Sequence, residues 1–127
     1  MLPRILIVDD EKGFTDILKL TLEATGKYQV QVENNPQHAV KMALQYRPHL
    51  ILLDVIMPRM EGPDVAIEMR NDEKLKEIPI IFLTGTITED EALEVGHKIG
   101  KHTFVSKPCH LEDLLNAIEE YILPFSD

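Results

Sequence analysis

The sequence predicts a doubly wound α/β domain around a five-stranded parallel sheet, and three observations carry that prediction. Three short runs, Ile5–Val8, Leu50–Leu53 and Ile80–Leu83, are apolar at every position. Strands that do not alternate with polar residues are buried on both faces, as parallel strands covered by helices are. Segments with apolar residues at helical spacing lie between the runs, so strand and helix patterns alternate along the chain. Two further runs are weaker: Tyr28–Val32 alternates and His102–Val105 is short and half polar, so both read as edge strands. With strands one, three and four inside, right-handed crossovers leave two natural orders. The commoner is the flavodoxin-like order 2-1-3-4-5, the one expected here.

The helices follow in turn. Phe14, Ile17, Leu18 and Leu22 recur on one face of the first. Asn35-Pro36 supplies an N-cap and a first helical residue for the second, whose Val40, Ala43 and Leu44 face inward. The third starts near Gly62-Pro63 and carries Val65, Ala66 and Met69. Thr88 and Glu91 form a capping box for the fourth, where Ala92, Val95 and Ile99 share a face before Gly100. The fifth carries Leu111, Leu114, Leu115, Ile118 and Ile122, and the polar stretch 71–77 reads as a solvated loop. No repeat, low-complexity stretch or linker interrupts the pattern, so 1–127 reads as one domain.

Composition narrows the function classes. The chain has 127 residues, 44% of them hydrophobic and 28% charged, which excludes a disordered tail, a collagen-like fibre and a disulfide scaffold. A net charge of −9 argues against unaided binding to nucleic acid, whose phosphates it repels. The single cysteine, Cys109, cannot form an internal disulfide, which fits a reducing compartment. No apolar stretch reaches the roughly 18–20 residues of a membrane span. The apolar run after Met1 is shorter than the roughly 7–15 residues of a secretory signal. A cytoplasmic protein without a membrane partner is the expectation.

Ligands of open α/β sheets bind outside the carboxyl ends of the strands. Asp9 and Asp10 follow strand one, Asp54 strand three, Thr84 strand four and Lys107 strand five. Singly, each has an ordinary reading: Asp9 and Asp10 as helix caps, Asp54 and Thr84 as turn residues, Lys107 as a neutralising charge. Jointly those readings fail, because three carboxylates a few ångströms apart repel by on the order of several kcal/mol at an effective dielectric near 20. One lysine leaves the set at −2, and a divalent cation closes the deficit. An all-oxygen, solvent-open set of acids suits Mg²⁺. Mg²⁺ and Lys107 can each take a phosphoryl oxygen, Thr84 can donate to a third, and Asp54 can attack phosphorus to form an aspartyl phosphate.

Val8-Asp9-Asp10-Glu11, Leu53-Asp54-Val55-Ile56-Met57-Pro58, Leu83-Thr84-Gly85 and Ser106-Lys107-Pro108 resemble the signature of bacterial response-regulator receiver domains. The resemblance covers residues 4–123, with motif order and spacing intact. It implies a phosphorelay protein: Asp54 is the phosphoacceptor, taking its group from a sensor histidine kinase or phosphotransfer domain. The implied cofactor is Mg²⁺ or Mn²⁺, held by Asp10 and Asp54 directly, by the backbone carbonyl of Ile56, and by Asp9 mainly through water. Thr84 and Lys107 become the phosphoryl-oxygen contacts, Thr84 and Phe104 the switch pair, and the bond before Pro108 is expected to be cis. The implied output surface is the fourth helix, fifth strand and fifth helix, read by a protein partner and not by nucleic acid. The chain is then no enzyme in the ordinary sense, but a phosphoacceptor that assists its own phosphorylation and slow dephosphorylation. Ile56 and Thr86, two residues beyond acceptor and hydroxyl, would tune attack by water. Gly85 stands where alanine is more usual, Phe104 where a tyrosine could offer a hydroxyl, and Cys109-His110 where relatives often carry an aromatic and an acid.

Three rival classes are weighed against this. An aspartyl-phosphate phosphatase of the haloacid dehalogenase type needs a second aspartate two residues after the nucleophile, and that place is Ile56. A pseudo-receiver that is never phosphorylated conflicts with the intact acids and lysine. Nucleotide binding lacks both a G-x-G-x-x-G and a Walker A loop. The five histidines show no zinc-ligand spacing, and the acidic run at Glu89, Asp90, Glu91 and Glu94 reads first as a solvated helix start.

Overall fold

Side-chain alternation along the apolar strands builds two separate cores, one on each face of a single sheet. The computed structural model describes residues 2–54, 62–84, 103–106 and 111–122. Its strands are β1 (Arg4–Val8), β2 (Gln29–Glu33), β3 (Leu50–Asp54), β4 (Ile80–Thr84) and β5 (Thr103–Ser106). Its helices are α1 (Lys12–Ala24), α2 (Ala39–Tyr46), α3 (Gly62–Arg70) and a last helix, Leu111–Ile122. The sheet is parallel throughout, in the expected order β2-β1-β3-β4-β5 with β2 and β5 at the edges.

Ile5, Ile7, Leu50, Leu52, Ile81 and Leu83 pack with Leu18 and Leu22 of α1 and with Leu114, Ile118 and Ile122 of the last helix. Leu6, Val8, Ile51, Leu53, Ile80 and Phe82 pack on the opposite side with Ala39 and Ala43 of α2 and Val65, Ala66 and Met69 of α3. Every residue of β3 is buried, as a strand with helices on both faces must be.

Three sequence expectations change in detail. Ile17 does not face the core but is 68% exposed, and Thr15 is buried instead. With Leu18 and Leu22 pointing inward, the ~100° step per helical residue turns Ile17 aside. Thr15 tolerates burial because its hydroxyl donates to the Lys12 carbonyl at 3.0 Å. Asn35 caps as expected, its side chain accepting from the Gln37 N–H, but it opens a 3₁₀ turn (Pro36–His38) ahead of α2. The stretch 71–77 is not wholly solvated: Leu75 is buried, and the Arg70 guanidinium donates to the carbonyls of Lys76 and Ile78 at 2.7 and 3.0 Å. The fourth helix expected around 88–99, with its acidic start, lies outside the described residues.

The amino ends of β1 and β3 are tied together by Arg4. Its guanidinium donates to the carbonyls of Tyr46 (3.0 Å) and Arg47 (3.0 and 2.6 Å), serving the carbonyls that α2 leaves open. Its backbone N–H donates to His49 Nδ1 at 2.9 Å, and the His49 N–H returns to the Arg4 carbonyl at 2.8 Å. Burial, with the Arg4 charge adding to it, holds the His49 imidazole below its ordinary pKa of 6.5. No helix among the described residues is long and apolar enough to cross a membrane.

Candidate functional site

Strand register brings the acids together. Val8 pairs with Leu53, so Asp9, one step beyond β1, falls beside Asp54, the last residue of β3. Both have the parity of the residues that face α1: Ile5 and Ile7 on one strand, Leu50 and Leu52 on the other. Asp9 extends the β1 ladder by one bond, its N–H donating to the Glu33 carbonyl at 3.2 Å. Its Oδ1 then accepts from the Glu11 N–H at 2.9 Å, turning the chain into α1. The position before α1 is Glu11, with no side-chain cap bond, so Asp9 shapes the entry to the helix and does not cap it.

One carboxylate oxygen from each of Asp9, Asp10 and Asp54 lies within 4.8 Å of the others. Asp9 is 0% and Asp54 5% exposed, while Asp10 is partly exposed, so the group opens toward solvent on one side. Carboxylates this close and this buried are costly without a compensating positive charge. Three hard oxygen donors with an open side could hold a divalent cation that keeps part of its water shell.

The other expected site residues divide in two. Thr84 is the last residue of β4, and Asp54 pairs with Leu83, which sets Thr84 one step past Asp54 on the neighbouring strand. Phe104 lies within β5, paired with Phe82 of β4. The side chains of Thr84 and Phe104 lie outside what is described, as do residues Ile56, Gly85, Thr86, Lys107 and Pro108 altogether. The sheet therefore brings Asp9, Asp10, Asp54 and Thr84 to one rim, in the expected order.

Sequence reasoning passed over Asn34, the residue after β2 on that rim. Its carboxamide donates to the Asp9 carbonyl at 2.8 Å and to Thr15 Oγ1 at 3.0 Å. The signal was available: Asn34 follows a strand at its carboxyl end, as do the acids.

A parallel sheet in this order, with an acidic cluster at its carboxyl rim, is a doubly wound α/β domain whose grouped acids could hold a metal ion. The chain belongs to the response regulator receiver domain family, whose model matches residues 5–119. It is therefore a receiver domain of two-component signalling. Over 117 residues it is 32% identical to the DNA-binding dual master transcriptional regulator RpaA of Synechocystis, covering 92% of this chain and 48% of that protein. The chain spans about half the length of the curated relatives it matches. The chemotaxis protein CheY4 of Vibrio cholerae superposes with a TM-score of 0.86 at 26% identity, over 95% of this chain and 99% of that one. The receiver domain of a signal transduction histidine kinase from Syntrophus aciditrophicus gives 0.84 at 31% identity, over 96% and 91%.

Proposed function

We propose that this receiver domain accepts a phosphoryl group on Asp54, with Mg²⁺ bound at the acidic rim, and relays the modification to a protein partner. The observation that carries the reading is the carboxylate triad: Asp9, Asp10 and Asp54, two of them buried, with oxygens within 4.8 Å of one another. When bound, a divalent cation would offset the triad's charge and that of an incoming phosphoryl group. Asp10 is assigned as the direct ligand, Asp9 as acting mainly through water, and Asp54 and the Ile56 carbonyl as completing the set.

Asp54 then presents a carboxylate oxygen to phosphorus, the donor's phosphorus–nitrogen or phosphorus–oxygen bond breaks, and an acyl phosphate forms. Thr84 and Lys107 are assigned the phosphoryl oxygens. The donor is a phosphohistidine of a sensor kinase or phosphotransfer domain. Modification adds roughly −1.5 to −2 charge, which draws the Thr84 hydroxyl inward and lets Phe104 follow. The output face comprises the segment 88–99, β5 and the last helix. A net charge of −9 opposes contact with phosphate backbones, so the partner is read as a protein. Residues 1–127 are taken as one domain acting in the cytoplasm.

Reductive trapping tests the assignment. After incubation with acetyl phosphate and Mg²⁺, borohydride converts an aspartyl phosphate to homoserine, and peptide sequencing by mass spectrometry locates it. Homoserine at position 54 is expected. Trapping at another residue, or none in protein that binds Mg²⁺, would overturn the reading.

A further inference from the structure

We infer that Asn34 is a positioning residue for the acidic site, holding the β1–α1 turn in the shape that presents Asp10 to a cation; this rests on the metal-binding reading above. The turn carries two of the three carboxylates, and the backbone around Asp9 is fixed at three points. The Asp9 N–H donates to the Glu33 carbonyl at 3.2 Å, Asp9 Oδ1 accepts from the Glu11 N–H at 2.9 Å, and the Asp9 carbonyl accepts from Asn34 Nδ2 at 2.8 Å. The second hydrogen of the same amide goes to Thr15 Oγ1 at 3.0 Å, and that hydroxyl donates onward to the Lys12 carbonyl at 3.0 Å. One side chain thus ties the end of β1 to the first turn of α1 from the neighbouring strand.

The flanking residues behave differently. Glu33 Oε2 accepts from the Asn35 N–H, and Asn35 Oδ1 accepts from the Gln37 N–H, both bonds spanning two residues. The bonds of Asn34 span 25 and 19 residues. Thr15 is 0% exposed, so its hydroxyl has no ready exchange with bulk water for the amide it accepts. Asp10 sits between two fixed residues: its predecessor is locked, and its successor, Glu11, is locked to that predecessor. Groups that orient a metal ligand without touching the metal shape affinity by holding geometry.

The test is Mg²⁺ titration of the whole chain, with thermal stability and amide hydrogen exchange of Asp10 and Glu11 measured on metal-free protein. Asn34→Ala should weaken Mg²⁺ binding roughly 10-fold, at the lower end of what loss of an orienting partner costs, and speed exchange at Asp10 and Glu11. Thr15→Val, which removes one arm, should weaken binding less, and Thr15→Ser should restore it. A folded Asn34→Ala protein that melts earlier but binds Mg²⁺ as the wild type does would overturn the inference. Equal affinity in Thr15→Val and Thr15→Ser would do so too, and that pair decides the matter if Asn34→Ala fails to fold. Wild-type protein that binds no Mg²⁺ would instead remove the metal reading on which the inference rests.

Discussion

Asp54 ends β3 and Asp9 lies one step beyond the end of neighbouring β1, both almost fully buried on the α1 side of the sheet, and with Asp10 they share a space in which their oxygens lie within 4.8 Å. At an effective dielectric near 20, two unit charges at that separation repel by about 3 kcal/mol. The register that pairs Val8 with Leu53 sets Asp9 beside Asp54, and the two cores packed on either face of the sheet hold that register.

Removing one of these charges should therefore stabilise the metal-free protein. Asp10→Asn keeps the side chain's shape, and Asp10 is the partly exposed member, so the gain is put at about 1 kcal/mol in urea denaturation. Saturating Mg²⁺ should stabilise the wild type, by about 2.7 kcal/mol at a hundred times its Kd, and the variant far less. A variant less stable than wild type without Mg²⁺ would show that the triad is not a site of stored repulsion.

Tyr46 offers a second test far from the site. Its hydroxyl is buried and has no hydrogen-bond partner among the described residues. Burial leads in raising its pKa, against a smaller lowering by Arg4 and a further raising by Glu23. Tyr46→Phe should leave stability unchanged or raise it by about 1 kcal/mol, since it deletes an unsatisfied group without opening a cavity. A clear loss of stability on denaturation would mean that the hydroxyl has a partner.

Much of this was legible in the sequence, for reasons that can be named. β1, β3 and β4 are apolar at every position because both faces are covered, and that signal needs no tertiary knowledge. Val65, Ala66 and Met69, the apolar residues the sequence places on the third helix, are buried. Ile17 misled because apolar identity outweighed angular position on α1, where a threonine could be buried once its hydroxyl found a carbonyl. Asp9, Asp10 and Asp54 were legible as a group because the rule that ligands gather at carboxyl ends selects them together. Asn34 was not, because its role lies in two hydrogen bonds to residues distant in sequence, and no spacing pattern records those.

Acidification should act through His49. Its folded pKa is lowered, so the unfolded chain binds this proton more readily, and stability is present above the ordinary value of 6.5 and lost as pH falls below it. Protonation also removes the acceptor for the Arg4 N–H. His49→Asn retains an acceptor that does not titrate. Between pH 7.5 and 5.5, wild type should therefore lose more stability than His49→Asn. Parallel pH profiles for the two proteins would show that His49 does not titrate on unfolding.

The lifetime of the modified state should depend on Ile56, two residues past the acceptor. An aliphatic side chain cannot orient water toward phosphorus, whereas a carboxamide can. Ile56→Asn should shorten the lifetime of the phosphorylated protein, followed as decay after the donor is removed. An unchanged or longer lifetime would contradict that role.

Mg²⁺-dependent phosphoryl acceptance on Asp54 meets its most direct test in intact-mass measurement after incubation with acetyl phosphate. Wild-type protein with Mg²⁺ should gain a single phosphoryl group, and the gain should vanish when the cation is chelated and in Asp54→Asn, whose carboxamide is a poor nucleophile. Equal labelling of Asp54→Asn and wild type would contradict the account, as would labelling indifferent to Mg²⁺.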